Sequence, residues 1–168
     1  MTSQQQKSDL IDTVHHEHDH LGKLFDDIED TFDTLASGEM DDSQYVEVVE
    51  SASSDLEVAL DEMLHHFNQE EEVFFVEIEK RFPETEELVA KLTEAHETMC
   101  ERTRWLHRQI NQPPETISDN ADEIREVIHQ MRVTLSEHTQ QETELFDSVL
   151  QKMSAAEREK LLDEMRRI

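Results

Sequence analysis

With only two glycines and three prolines in 168 residues, the chain has almost none of the turn chemistry that a many-stranded protein needs. What it has instead is long stretches in which apolar residues return every three or four positions, the spacing of a helix with one buried face. The abundance of Glu, Leu, Gln, Met and Ala points the same way. The length suits a single domain with a sizeable core. The expected fold class is all-α, an up-down-up-down four-helix bundle with a short C-terminal fifth helix.

Punctuation along the chain divides it. Residues 1–8 read as a polar N-terminal tail, 9–153 as the four-helix bundle, and 154–168 as a C-terminal capping helix. Ser8 or Asp9 can cap a first helix that Gly38 closes, with Ile11, Val14, Leu21, Phe25, Ile28 and Phe32 inward. After an acidic loop from Glu39 to Ser43, a second helix runs from about Gln44 to Arg81 and ends before Pro83. A third carries Leu92, His96, Met99, Thr103 and Leu106 on one side. Asn111 to Asn120, with Pro113-Pro114, reads as the longest linker. Asn120 with Glu123, and Ser154 with Glu157, have the spacing of capping boxes opening the fourth and fifth helices.

The formal charge of −27 excludes phosphate-seeking roles, so neither nucleic acid nor an anionic membrane is an expected partner. No apolar run reaches membrane-spanning length, and the first residues lack a signal-peptide core, so the expected location is cytoplasmic. A single cysteine, Cys100, excludes an intrachain disulfide.

Ten histidines are separated by position. Stepping round each helix by about 100° per residue places His18, His66, His96 and His138 with the apolar stripes. His16, His20, His65 and His129 face away. Two stretches repeat one pattern, His66-Phe-Asn-Gln-Glu70 and His138-Thr-Gln-Gln-Glu142, in which an i, i+4 step sets imidazole and carboxylate side by side. Buried polar groups of this kind are costly unless something satisfies them. His18, His66, Glu70, His96, His138 and Glu142 can meet at one depth in the bundle and suit two metal ions bridged by carboxylates, iron before manganese or zinc. Glu71, Glu97 and Glu17 are candidates to hold the outer ring nitrogens. His107 lies too far along its helix to join, and Tyr45 lies about six helical turns from His66. Met63, Met99 and Met131 read as core filling.

A second motif competes. Glu62-Met-Leu-His65 and Glu126-Val-Ile-His129 both satisfy the Glu-x-x-His signature of ferritin-like carboxylate bundles. Their histidines fall nearly opposite the apolar stripes, which disfavours that reading.

Taken together, Glu17-His18-Asp-His-Leu21, His66-Phe-Asn-Gln-Glu70-Glu71, Glu94-Ala-His96 and His138-Thr-Gln-Gln-Glu142 with Leu145-Phe146 resemble the hemerythrin-like, or HHE cation-binding, domains. The resemblance spans roughly residues 10–153. It implies an oxo- or hydroxo-bridged di-iron centre in which His18 and His66 hold one iron, His96 and His138 the other, and Glu70 and Glu142 bridge. One departure stands out. Oxygen-carrying hemerythrins have a second histidine four residues after the third-helix ligand, where this chain has Cys100. The resemblance therefore leads away from simple oxygen carriage, towards branches that handle iron, nitric oxide or peroxide. The function expected is binding of, or reaction with, a small diatomic or peroxide (O2, NO, H2O2). An iron- or oxygen-sensing or storage module without turnover is the alternative. Whether the chain is an enzyme, and what its redox partner is, the sequence leaves open.

Overall fold

The computed structural model describes residues 3–168, with the side chains of Asp12 and of His15 onward. Ile11 and Val14, expected on the inner face of the first helix, lie outside the described side chains. The elements are α1 (Ser3–Ser37), α2 (Asp42–Gln69), a π turn (Glu70–Phe74), α3 (Phe75–Arg81), a 3-10 turn (Pro83–Thr85), α4 (Glu86–Ile110), α5 (Pro114–Asp119), α6 (Ala121–Leu150) and α7 (Ala155–Met165). The fold is all-α, with no strand among the described residues. None of the described helices is long and apolar enough to cross a membrane.

Most element ends have a local cause. Gly38 adopts φ +70°, the left-handed conformation that ends a helix cheaply only at glycine. Asp41 opens α2 through a full capping box, accepting from the Gln44 amide at 2.9 Å while its own amide donates to Gln44 Oε1 at 3.3 Å. The acidic loop is therefore shorter than expected. Ser154 and Glu157 form the expected box at α7.

Three further details differ from expectation. Helix α1 begins at Ser3, so neither Ser8 nor Asp9 stands at its start. The linker contains a helix, α5, whose Ile117 is fully buried in the core. Asn120 makes no cap, because its side-chain amide donates instead to Gln109 Oε1 at 3.3 Å.

The rods α1, α2, α4 and α6 form a ring in which α1 packs on α2 and α6, and α4 packs on the same two. Between α1 and α6 the contacts run His15–Thr143, His18–Thr139, Glu29–Arg132 and Asp33–Arg125. Numbers rise on one helix as they fall on the other, so this pair is antiparallel. Two apolar clusters fill the interior. One gathers Leu21, Phe25, Leu56, Phe67, Met99 and Leu135; the other gathers Phe74, Ile78, Leu92, Phe146 and Leu161. Met63, Met99 and Met131 are buried core, as expected. Each fully buried large side chain contributes about 1.5–3 kcal/mol. On α1, α2, the π turn, α4 and α6, the buried histidines and glutamates fall at the border of these clusters. The bundle thus carries a polar layer between two dry halves.

Candidate metal centre

The second rod is not a regular helix where it meets that layer. The Phe75 amide donates to the Glu70 carbonyl, an i→i+5 bond that takes one more residue into the turn than an α-helix holds. The backbone stays in the right-handed helical region on both sides. The wider turn begins at Glu70, leaving that carboxylate fully buried while Glu71 reaches round to α4. It also lets Phe74 and Phe75 both point inward.

All six residues expected from the sequence are buried: His18, His66, Glu70, His96, His138 and Glu142. They come together at one depth. One group unites His18, His66, Glu70 and Glu142; a second unites Glu70, His96 and His138. Glu70 Oε1 lies 2.9 Å from His66 Nε2, and its Oε2 lies 2.9 Å from His96 Nε2. Glu142 Oε2 lies 3.5 Å from His18 Nε2 and 3.4 Å from His138 Nε2. The inner nitrogens of His96 and His138 are 3.3 Å apart.

The His96–His138 contact apart, proximity here is not directed hydrogen bonding. The Nε2 atoms of His18 and His66 and all four oxygens of Glu70 and Glu142 are buried with no properly directed partner. Each such orphan costs about 1–3 kcal/mol. A protein rarely keeps several together unless something absent from the bare chain engages them. Lone pairs converging from imidazoles and carboxylates are what a metal ion of borderline character takes up, and the residues fit one.

The outer nitrogens fix three of the four rings; His138 Nδ1 is buried without a partner. His66 Nδ1 pairs with Glu17, and His96 Nδ1 donates to Glu71 Oε1 at 2.7 Å. Two of the three expected outer partners are therefore in place; the third, Glu97, is exposed. The Thr139 hydroxyl donates to the Leu135 carbonyl at 2.7 Å, so at 2.9 Å from His18 Nδ1 it must accept. That puts the proton on Nδ1 and turns the Nε2 lone pair inward. Thr143 repeats the device one turn on, donating to the Thr139 carbonyl and accepting from His15 Nε2 at 2.8 Å. His15 is thereby occupied outside the cluster. Sequence reasoning missed both threonines, although each directly follows a site residue in His138-Thr-Gln-Gln-Glu142-Thr.

Burial and neighbouring charge divide the titrating groups. Burial drives His18 down to about 4 and His138 down to about 3. Burial also opposes charge on His66, but the Glu70 carboxylate and the bond to Glu17 outweigh it and raise the ring to about 10. Burial likewise disfavours ionised Glu70, yet the His66 charge, with Glu142 and His96 close by, holds it well below the usual carboxylate range. Glu142 goes the opposite way: burial and the Glu70 charge push it well above. Burial opposes charge on His96 too, but Glu70 and Glu71 outweigh it and raise the ring. The layer therefore divides into groups held towards the charged form (His66, His96, Glu70) and groups held towards the neutral form (His18, His138, Glu142).

Other expectations resolve simply. His65, His129, Glu62 and Glu126 are exposed, so the Glu-x-x-His strings do not line the interior. His107 bonds Ser53 and Glu57 at the groove between α4 and α2. Cys100 is buried in the apolar cluster, its thiol pushed up by burial, and it is not among the clustered ligand atoms.

Comparison with known proteins agrees with this geometry. No curated protein and no solved structure gives a significant match. The hemerythrin HHE cation binding domain, by contrast, matches residues 9–147, a span that includes all six clustered residues. By that match, which covers most of its length, the chain belongs to the hemerythrin HHE cation-binding family.

Proposed function

We propose that this chain is a non-haem di-iron protein whose carboxylate-bridged metal pair binds or reacts with a small diatomic or peroxide. His18 and His66 would hold one ion, His96 and His138 the other, with Glu70 and Glu142 shared. The observation that carries the reading is that each carboxylate faces one histidine of either pair: Glu70 faces His66 and His96, and Glu142 faces His18 and His138. Histidine and carboxylate donors suit iron best, with manganese and zinc as competitors. When bound, an iron pair supplies electrons and an open coordination position to O2, NO or H2O2.

The chain's own residues prepare that chemistry. His96 is sandwiched between Phe67, stacked at 3.8 Å and 7°, and Phe75 at 5.8 Å and 13°, which fixes its plane. Phe67 also stands edge-on to His138. These rings and the neighbouring apolar clusters keep bulk water out while passing small neutral molecules. Glu142, pushed towards its protonated form, and His66, raised to about 10, must each shed a proton to serve as a ligand, so metal binding and proton release are linked.

The test is iron content and the visible spectrum of protein purified aerobically from its own host. The expected result is about two irons per chain with charge-transfer bands of a coupled ferric pair. His66→Ala should lose at least half of the iron, whereas His129→Ala should keep it. Equal losses in both chains would refute the assignment. Oxygen release on adding peroxide separates turnover from a module that only senses or stores.

A further inference from the structure

The proposed centre leaves several histidines unused, and three of them gather in one place. A cavity of about 370 Å3 lies between α1 and α2. The exposed His16, His20, Glu62 and His65 stand around it, and the buried His66 and Leu21 form its inner wall. Four of the chain's ten histidines thus meet at a single opening.

The spacing explains how. His16 and His20 are an i, i+4 pair on α1, and Glu62 and His65 an i, i+3 pair on α2, so each pair shares a helix face. The two faces meet across the groove, where His20 Nε2 lies 3.4 Å from Glu62 Oε2. Gln69 Nε2 lies 3.2 Å from His65 Nε2. Behind them Glu17, which also lines the cavity, holds the outer nitrogen of His66. A polar path therefore runs from solvent to a residue of the buried layer.

We infer that this cavity is a metal-docking vestibule. It takes a first-row divalent ion on His16, His20, His65 and Glu62 and passes it inward past Glu17 and His66. Three imidazoles and one carboxylate are donors of the class that such ions prefer over calcium or magnesium. The −27 charge concentrates cations around the molecule, and a groove walled by low-dielectric protein focuses them. Only His20 and Glu62 touch now, but exposed side chains change rotamer within nanoseconds. The proposal rests on the reading of the buried layer as the metal's destination.

The experiment adds Zn2+ to the metal-free full-length chain, in the wild type and in a His16→Ala, His20→Ala, His65→Ala triple variant. The substitutions are exposed, and equal metal-free melting temperatures check the fold. The triple variant should bind one weaker Zn2+ fewer by equilibrium dialysis. Its deep sites should fill measurably more slowly, because the docking donors are gone while the −27 charge that gathers cations is unchanged. Unchanged stoichiometry and unchanged filling rate would overturn the vestibule. A companion chain with Glu70→Gln and Glu142→Gln keeps the two readings apart. It should lose the deep ions yet still show Zn2+-dependent shifts of the His16, His20 and His65 ring resonances. Retention of the deep ions overturns the buried centre, whereas absent histidine shifts overturn the vestibule.

Discussion

Replacing Glu142 with leucine should make the metal-free protein more stable while removing a candidate metal ligand. The carboxyl is fully buried, and neither oxygen has a directed hydrogen-bond partner. Burial and the nearby Glu70 charge push it well above the usual carboxylate range, so the folded chain buries a carboxyl that has exchanged water for little more than the neighbouring Glu70. That group costs about 1–3 kcal/mol, and a leucine of similar volume removes the cost. At roughly 2–4 °C per kcal/mol for a chain of this size, the melting temperature should rise by about 2–12 °C. The assay is circular dichroism melting with chelator present, and again with Fe2+ or Zn2+ supplied. Wild type should be the less stable protein without metal and should gain on its addition. The variant should start higher and gain little. A metal-free Glu142→Leu chain that melts at or below the wild type would refute the idea that this layer is kept under strain for a ligand.

Metal affinity should tighten with pH, because ions displace protons from Glu142, held above its usual range, and from His66, raised to about 10. Each proton displaced makes affinity about tenfold tighter per pH unit; Zn2+ titrations at pH 6 and pH 8 that give equal constants would contradict this. Thr139→Val removes the hydroxyl that sets the His18 tautomer and should weaken metal binding about 10–100-fold without unfolding the chain, as read by competition with a zinc indicator. The two glycines should respond with opposite signs in urea denaturation. Gly38→Ala, at φ +70° with open space around the new methyl, should cost about 1–2 kcal/mol from backbone strain alone, while Gly22→Ala, inside α1 and equally uncrowded, should gain about 0.5–1 kcal/mol.

Much of the site was legible because a helix turns neighbouring residues about 100° apart. His65 and His66 are adjacent in the chain, yet one is exposed and the other buried. That step alone separated the clustered pair His66–Glu70 from the ferritin-like string Glu62–His65. The same rotation placed His138 and Glu142 inward and His129 outward. Side-chain to backbone bonds were harder to read. Thr139 and Thr143 act by bonding the carbonyls of Leu135 and Thr139 in their own helix, which no apolar pattern reveals. Helix α5 has only six residues, too few for periodicity to appear, although Pro114 at its start and Ile117 one turn on were the available signal. Asn120 had the spacing of a cap and lost that role to a competing bond with Gln109. The i→i+5 bond at Glu70 has no sequence signature in this chain that we can identify.

That π turn gives the second rod two azimuths. Above it, α2 is phased so that Met63, Phe67 and Glu70 face inward; below it, the extra residue rotates α3 so that Phe75 and Ile78 do. The two dry halves of the bundle can therefore each choose their own angular setting on this rod, with Glu70 as the fixed pivot between them. A strictly regular helix would tie both settings together, so that repacking the sealed end under α7 would twist the carboxylate away from His96.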